Sequence, residues 1–267
     1  MTGRKRPTKL AAPRHPRGAT GASAAHRPRK TAEFVAQRIV ANIIDTDQQP
    51  GAMLPSEKAM LVEYGIGRGS LREALRFLEI QGVLRMKPGP GGGPSVDHPT
   101  SRPLASTLAL LLAIDRTPFS AILDVRQTLE PTLAARSAQA DDDENLRELE
   151  ATVTAMHADA SDPNRTSAHN RRFHDLIAVR AGNPVFAHLV MALNWIIDGA
   201  PLGVHFPAVE VHAAADAHGR ILDAISAKDP DAAHEAMRRH LSEFTTYLQH
   251  HYEEILARPL RWEHLTY

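Results

Sequence analysis

Apolar positions recur along this chain with a helical period over most of its length, and with a strand-like alternation almost nowhere. Leu71, Ala74, Leu75 and Leu78 fall at i, i+3, i+4 and i+7, so a helix from about Arg68 to Ile80 turns one face to a core. Just before it, Leu54-Pro55-Ser56-Glu57 starts a shorter helix with Ser56 as N-cap and Ala59, Met60 and Leu61 as its apolar side. Gly65-Ile66-Gly67 ends that helix, a glycine supplying the positive backbone angle and Ile66 buried as the plug of the turn. Val83 to Met86 and Ser95-Val96 read as a small hairpin with Lys87 to Pro94 at its tip, and Pro94 to Pro103 as a linker. From Leu104 onward the pattern predicts only helices, at about 104–113, 118–139, 142–157, 165–181, 183–198, 207–227 and 230–255. Leu146, Leu149, Val153 and Met156 form one apolar stripe, and Met237, Leu241, Phe244 and Leu248 another, started by Asp229-Pro230-Asp231. Pro131 lies inside the first long helix and is expected to kink or break it. The fold class is mainly α: an N-terminal winged helix-turn-helix and a C-terminal all-α bundle of six or seven helices.

Composition narrows the function classes. A chain of 267 residues with 43% hydrophobic content can bury a good core in each of two domains. There is no cysteine, which excludes disulfides and thiolate metal sites. No apolar run approaches the roughly 20 residues needed to cross a bilayer, and no apolar signal segment leads the chain, so a cytoplasmic, nucleoid-associated protein is expected. The formal charge of zero hides an asymmetry: residues 1–30 carry nine basic residues and no acid, leaving 22 basic against 31 acidic residues elsewhere. This arm is expected to be disordered. It has two readings, a salt-sensitive phosphate contact and a solubilising tail.

Two short helices, a glycine turn and a hairpin, in that order, form a DNA-reading device. The solvent face of the second helix opens with Arg68, Ser70 and Arg72, which would meet base edges or phosphates if that helix end entered the major groove. The ordered sequence resembles the GntR family of bacterial transcription regulators, whose pattern runs Leu-Pro-Ser-Glu, Val-Ser-Arg, then Val-Arg-Glu-Ala-Leu-x-x-Leu-Glu-x-x-Gly. The matching positions are Leu54, Pro55, Ser56, Glu57, Arg68, Leu71, Arg72, Glu73, Ala74, Leu75, Leu78, Glu79 and Gly82. Gly67 departs, standing where the family usually has Ser or Thr, which removes a helix cap. The resemblance implies DNA contacts from Lys58, from Arg68 and Arg72, and from the wing around Lys87 and Gly89. The chemistry fits: arginine can be bidentate to guanine, lysine is a point charge for phosphate, and glycine lets backbone approach the minor groove.

In the bundle, three histidines stand apart from the other twelve. His174 shares a face with Asn170, four residues earlier, beside Phe173 and Ile177. His218 lies with Ile221, Leu222 and Ile225, and His240 with Met237, Leu241 and Phe244. Each alone reads as a core histidine; three on separate helices read as a convergent divalent-metal site, zinc or nickel foremost. The same region resembles the FCD ligand-binding domain of the FadR-like branch. That likeness is carried by Val125-Arg126-Gln127-Thr128-Leu129-Glu130, by Asn170-Arg171-Arg172-Phe173-His174, and by His218-Gly219-Arg220-Ile221-Leu222 with His240-Leu241. It implies metal ligands at Asn170, His174, His218 and His240, with Asn170 in place of the commoner Asp. Four neutral ligands leave the ion's charge uncompensated in an apolar bundle, so a small carboxylate effector is expected to complete the shell. Arg126 has two readings, a clamp on that effector and an ion pair with a bundle acid such as Glu130.

The expected organisation is a basic arm (1–30), a DNA-binding domain (31–99), a linker and connecting helix (100–117), an effector- and metal-binding helical domain (118–255) and a tail (256–267). The function expected is a non-enzymatic transcriptional regulator, a repressor that binds an inverted-repeat operator as a homodimer and answers to a small organic acid. Two other classes compete. A metal-dependent hydrolase would use the three histidines, but no His-Glu-x-x-His run is present and Asp175 points off their face. An architectural DNA-binding protein would explain the arm but not the histidines.

Overall fold

The structure is a computed structural model and describes residues 27–89, 91–197, 204 and 206–262. The basic arm up to residue 26 and the end of the tail, 263–267, lie outside the described residues. The chain divides into two compact units at the His98–Pro99 junction.

The first unit contains helices α1 (Arg27–Asp45), α2 (Glu57–Tyr64) and α3 (Arg68–Ile80) and the antiparallel strands β1 (Leu84–Lys87) and β2 (Gly93–Val96). Ser56 caps α2, its Oγ accepting from the Ala59 amide at 3.3 Å, and Gly65 closes it with φ 63°. Gly67 starts α3 with no side-chain cap, as expected from its missing hydroxyl. Ile66 is only half-buried, a correction to its expected role as a fully buried plug, because the turn it occupies stays open on its outer side. The hairpin pairs Leu84 with Val96 and Lys87 with Gly93, so Pro94 belongs to a strand rather than to a linker. Residues 51–54 run along the other edge of β2, with Val96 N–H donating to Ala52 O at 2.8 Å and Leu54 N–H to Pro94 O at 2.9 Å. Helix α1 was not read from the sequence. Its Ala32, Val35, Ala36 and Ile39 are buried at helical spacing and pack, with α3, into a core completed by Met60, Leu71, Leu75, Leu78 and Leu84.

The second unit is all-α among the described residues. It comprises α4 (Arg102–Ile114), α5 (Ser120–Ala138), α6 (Asp143–Ala158), α7 (Pro163–Arg180), α8 (Pro184–Ile197), α9 (Ala208–Ser226), α10 (Pro230–His251) and the short α11 (Glu253–Ala257). Asp142, Asp162 and Asp229 cap α6, α7 and α10 by accepting first-turn amides. The bundle is α5 to α10, with α4 laid against α8. One core centres on Leu149, Phe173, Ile177, Ile221 and Met237, and a second on Phe119, Ile122, Leu193 and Leu248. Helix α5 continues through Pro131, so the local break that a proline could force does not occur. The proline is buried, and that burial outweighs the one amide bond it removes. The last long helix stops at Tyr252, and the chain beyond α11 pairs with residues 117–119 before α5, Leu260 N–H donating to Thr117 O at 3.0 Å. No described helix is long and apolar enough to cross a membrane.

Candidate functional site

Helices α7, α9 and α10 each contribute one histidine because each places it on the face its apolar residues bury. His174, His218 and His240 are all buried, and one ring nitrogen from each lies within 4.8 Å of the others. His218 Nε2 and His240 Nε2 are 3.2 Å apart. The His218 ring stacks on Phe173, with centroids 4.0 Å apart, which holds its plane. Burial pushes the His218 and His240 imidazoles well below their ordinary pKa, and the neighbouring rings and Arg126 push the same way, so both are neutral with lone pairs available.

Glu130, one helix turn after Arg126 on α5, organises the cluster. His174 Nδ1 lies 2.5 Å from Glu130 Oε2, which leaves Nε2 as the ring's remaining nitrogen. Arg126 pairs with Glu130 through Nε to Oε1, and through Nη2 to Oε2 at 3.3 Å. Burial alone would raise the Glu130 carboxyl, but Arg126 and His174 outweigh it and hold it well below the usual carboxylate range. The donor set fits a divalent ion: three clustered imidazoles, one backed by a carboxylate as histidine ligands commonly are. Among the described residues His218 Nδ1 has no hydrogen-bond partner, so that ring lacks such backing there.

A cavity of about 240 Å³ opens beside this cluster. Asn170, Arg126, His174 and His240 all border it, whereas His218 is sealed behind them. The ion-pair reading of Arg126 holds, since its guanidinium pairs with Glu130, and the residue also borders the cavity. Asp175, beside His174 in sequence, is turned to Asn194, whose Nδ2 donates at 2.9 Å, and burial raises its carboxyl.

In the first unit, Lys58, Arg68 and Arg72 are exposed, Ser70 is half-buried in the first turn of α3, and Lys87 and Gly89 sit at the hairpin end, Gly89 with φ 93°. Arg72 Nε is 4.0 Å from Glu57 Oε2. Other cations of this unit are committed elsewhere: Arg76 to Glu79, Arg85 to Asp97, and Arg38 over the Tyr64 ring. Lys58 and Arg68 have no ion pair among the described residues.

Sequence reasoning missed two features. Glu130 entered only as a pairing partner for Arg126, although its i+4 spacing signalled that contact; its reach to His174 had no local signal. Trp195, on α8, is held between two arginines, with Arg102 Cζ at 4.2 Å and Arg171 Cζ at 4.1 Å from the ring centroid, and nothing in the spacing announced it.

Residues 31–92 match the model for bacterial regulatory proteins of the gntR family, and residues 121–243 match that for the FCD domain. The uncharacterized HTH-type transcriptional regulator YcbG of Bacillus subtilis is 33% identical over 214 residues, covering 80% of this chain and 88% of that protein. The putative L-lactate dehydrogenase operon regulatory protein of Escherichia coli is 30% identical over 247 residues, covering 88% and 92%. The HTH-type transcriptional repressor NanR of Cronobacter sakazakii is 28% identical over 242 residues, covering 86% and 91%. Among solved structures, Streptococcus agalactiae GntR superposes with a TM-score of 0.61 at 26% identity, covering 80% of this chain and 99% of that one.

Proposed function

Because the chain belongs to the GntR family of bacterial regulatory proteins and carries an FCD domain, we propose that it is a repressor. Its hold on an inverted-repeat operator is released by a small carboxylate bound at or near a divalent metal. The family makes it a DNA-binding transcription regulator rather than an enzyme. The repressor reading is supported by its likeness to the repressor NanR.

The observation that carries the effector reading is the meeting of three buried imidazoles beside a cavity that Arg126 also borders. His174, His218 and His240, with Asn170 beside them, would hold the ion, which when bound supplies Lewis-acid attraction for a carboxylate oxygen. Glu130 adds no net counter-charge, since Arg126 cancels it. An anion from solution is therefore still needed to balance a divalent ion in this interior. Glu130 fixes the His174 ring, and Arg126 offers the acid a second cationic contact.

On the DNA side, Arg68 and Arg72 read base edges, Ser70 and Lys58 contact phosphates, and Lys87 and Gly89 bring the wing to the minor groove. One recognition helix covers only a few base pairs, so two-fold pairing of copies on an inverted repeat supplies the remaining affinity. Effector binding shifts the bundle between arrangements with different operator affinity.

Gel retardation with an operator selected from a random pool tests the whole reading. Protein reconstituted with zinc or nickel is expected to lose operator affinity by about 5- to 150-fold when the right organic acid is added. His174→Ala and His218→Ala should carry less metal and respond less. Operator affinity indifferent to every carboxylate tried would sink the effector reading, and no stoichiometric metal after reconstitution would end the metal part of it.

A further inference from the structure

The cavity beside the histidines has two unlike ends. One is polar, formed by Arg126, Asn170, His174 and His240 and continued along α7 by Asn164, Thr166, Ser167 and Arg171; the other has an apolar wall of Phe119, Ile197, Val204, Phe206, Phe244 and Leu248. Most of these belong to, or pack on, the second core cluster of the bundle. Phe206 makes an aromatic corner with Phe244, at 5.9 Å between centroids, and with Tyr247, at 5.4 Å. Phe244 is the one member of the stripe Met237, Leu241, Phe244, Leu248 left half-exposed, and the space in front of it is this cavity.

We infer that the effector is a monocarboxylic acid with an apolar body, an aromatic ring or a branched hydrocarbon, lying against the Phe206–Phe244 wall. This rests on the reading that its carboxylate docks at the imidazole and Arg126 end. Hydroxyl groups on the part of the body that lies against Phe206 and Phe244 would be stripped of water without gaining partners there, whereas methyl and ring carbons fill that wall. Charge limits the other end. Glu210 borders the cavity and lies close enough to Tyr247 to help raise its phenol, after burial and Tyr252. Glu210 has no ion pair among the described residues, so it repels a second carboxylate at the apolar end. Glu243, also on the border, is already 3.9 Å from Arg220.

The test is a set of ligand titrations on full-length, zinc-reconstituted Trp262→Phe protein, with Trp195 emission as the readout and calorimetry as a second. The probes are acetate, phenylacetate, 4-methylpentanoate, gluconate and adipate. Phenylacetate and 4-methylpentanoate are expected to bind at least tenfold more tightly than gluconate or adipate. The phenylacetate-to-acetate affinity ratio should fall about tenfold or more in Phe244→Ser, and in Phe206→Ser should the first variant fold poorly. Glu210→Gln should strengthen adipate binding at least twofold. Gluconate or adipate binding as tightly as phenylacetate, with both serine variants keeping the wild-type ratio, would overturn the apolar body while leaving the carboxylate reading intact. Failure of all five acids to bind would overturn both.

Discussion

Glu130 sits where Arg126 and His174 share one carboxylate, and the behaviour of the cluster follows from that. Glu130→Gln would leave Arg126 buried without its counter-charge, a change that costs about 3–5 kcal/mol. It would also weaken the hold on His174, for which a 10- to 100-fold loss of zinc affinity is expected. Urea unfolding and competitive zinc titration measure the two separately; a variant that loses neither would show the pair to be ornamental. The depressed His218 and His240 imidazoles give a pH dependence whose sign is fixed. The unfolded chain takes up protons near pH 6.5 and the folded one only below that. Stability of the metal-free protein is therefore lost as pH falls below about 6.5, and its melting temperature should drop between pH 7 and 5.5, less steeply in His240→Leu. In the first unit, Arg68→Ala and Arg72→Ala should each abolish sequence-specific retardation, each base contact being worth about 1–3 kcal/mol of discrimination. Circular dichroism should stay unchanged in both. Retained operator affinity in both would contradict the recognition role.

Helices carry these residues, and their ends determine how firmly. Asp229 starts α10, the helix of His240 and Phe244, by accepting from the Ala232 amide at 3.0 Å. Asp229→Ala is expected to remove about 1 kcal/mol of stability, measured by urea unfolding. The Arg102–Trp195–Arg171 stack ties the first turn of α4 to α8 and α7, and Arg171 also borders the cavity. Arg102→Ala should cost about 0.5–1 kcal/mol and shift Trp195 emission, whereas unchanged emission would mean the stack does not persist in solution. The elements show why some of this could be read early. Caps such as Ser56 and Asp229, and the spacing of Leu71, Ala74, Leu75 and Leu78, act within one or two helix turns, so they are visible in order along the chain. Helix α5 does not break at Pro131 because burial in the packed bundle, a distant effect, outweighs the local preference.

Over the full chain, the uneven charge gives a further prediction. Operator affinity should fall steeply with salt, about 0.9 log units per log unit of salt for each phosphate neutralised. Removing residues 1–26 should flatten that dependence without changing base preference; an unaltered slope would assign the arm to solubility instead. The match to the gntR-family and FCD models explains why the two-part organisation was legible at all: turn residues, glycines and histidines recur in an order that carries both resemblances. Periodicity and capping chemistry were sufficient to place α3, the hairpin and a bundle of helices bearing three inward imidazoles, since each depends on neighbours a few positions away. They could not place Glu130 behind His174, seat Trp195 between two arginines, or shape a cavity with one polar end and one apolar wall. Those arrangements join residues some 20 to 120 positions apart on several helices, and such distances close only when the helices pack.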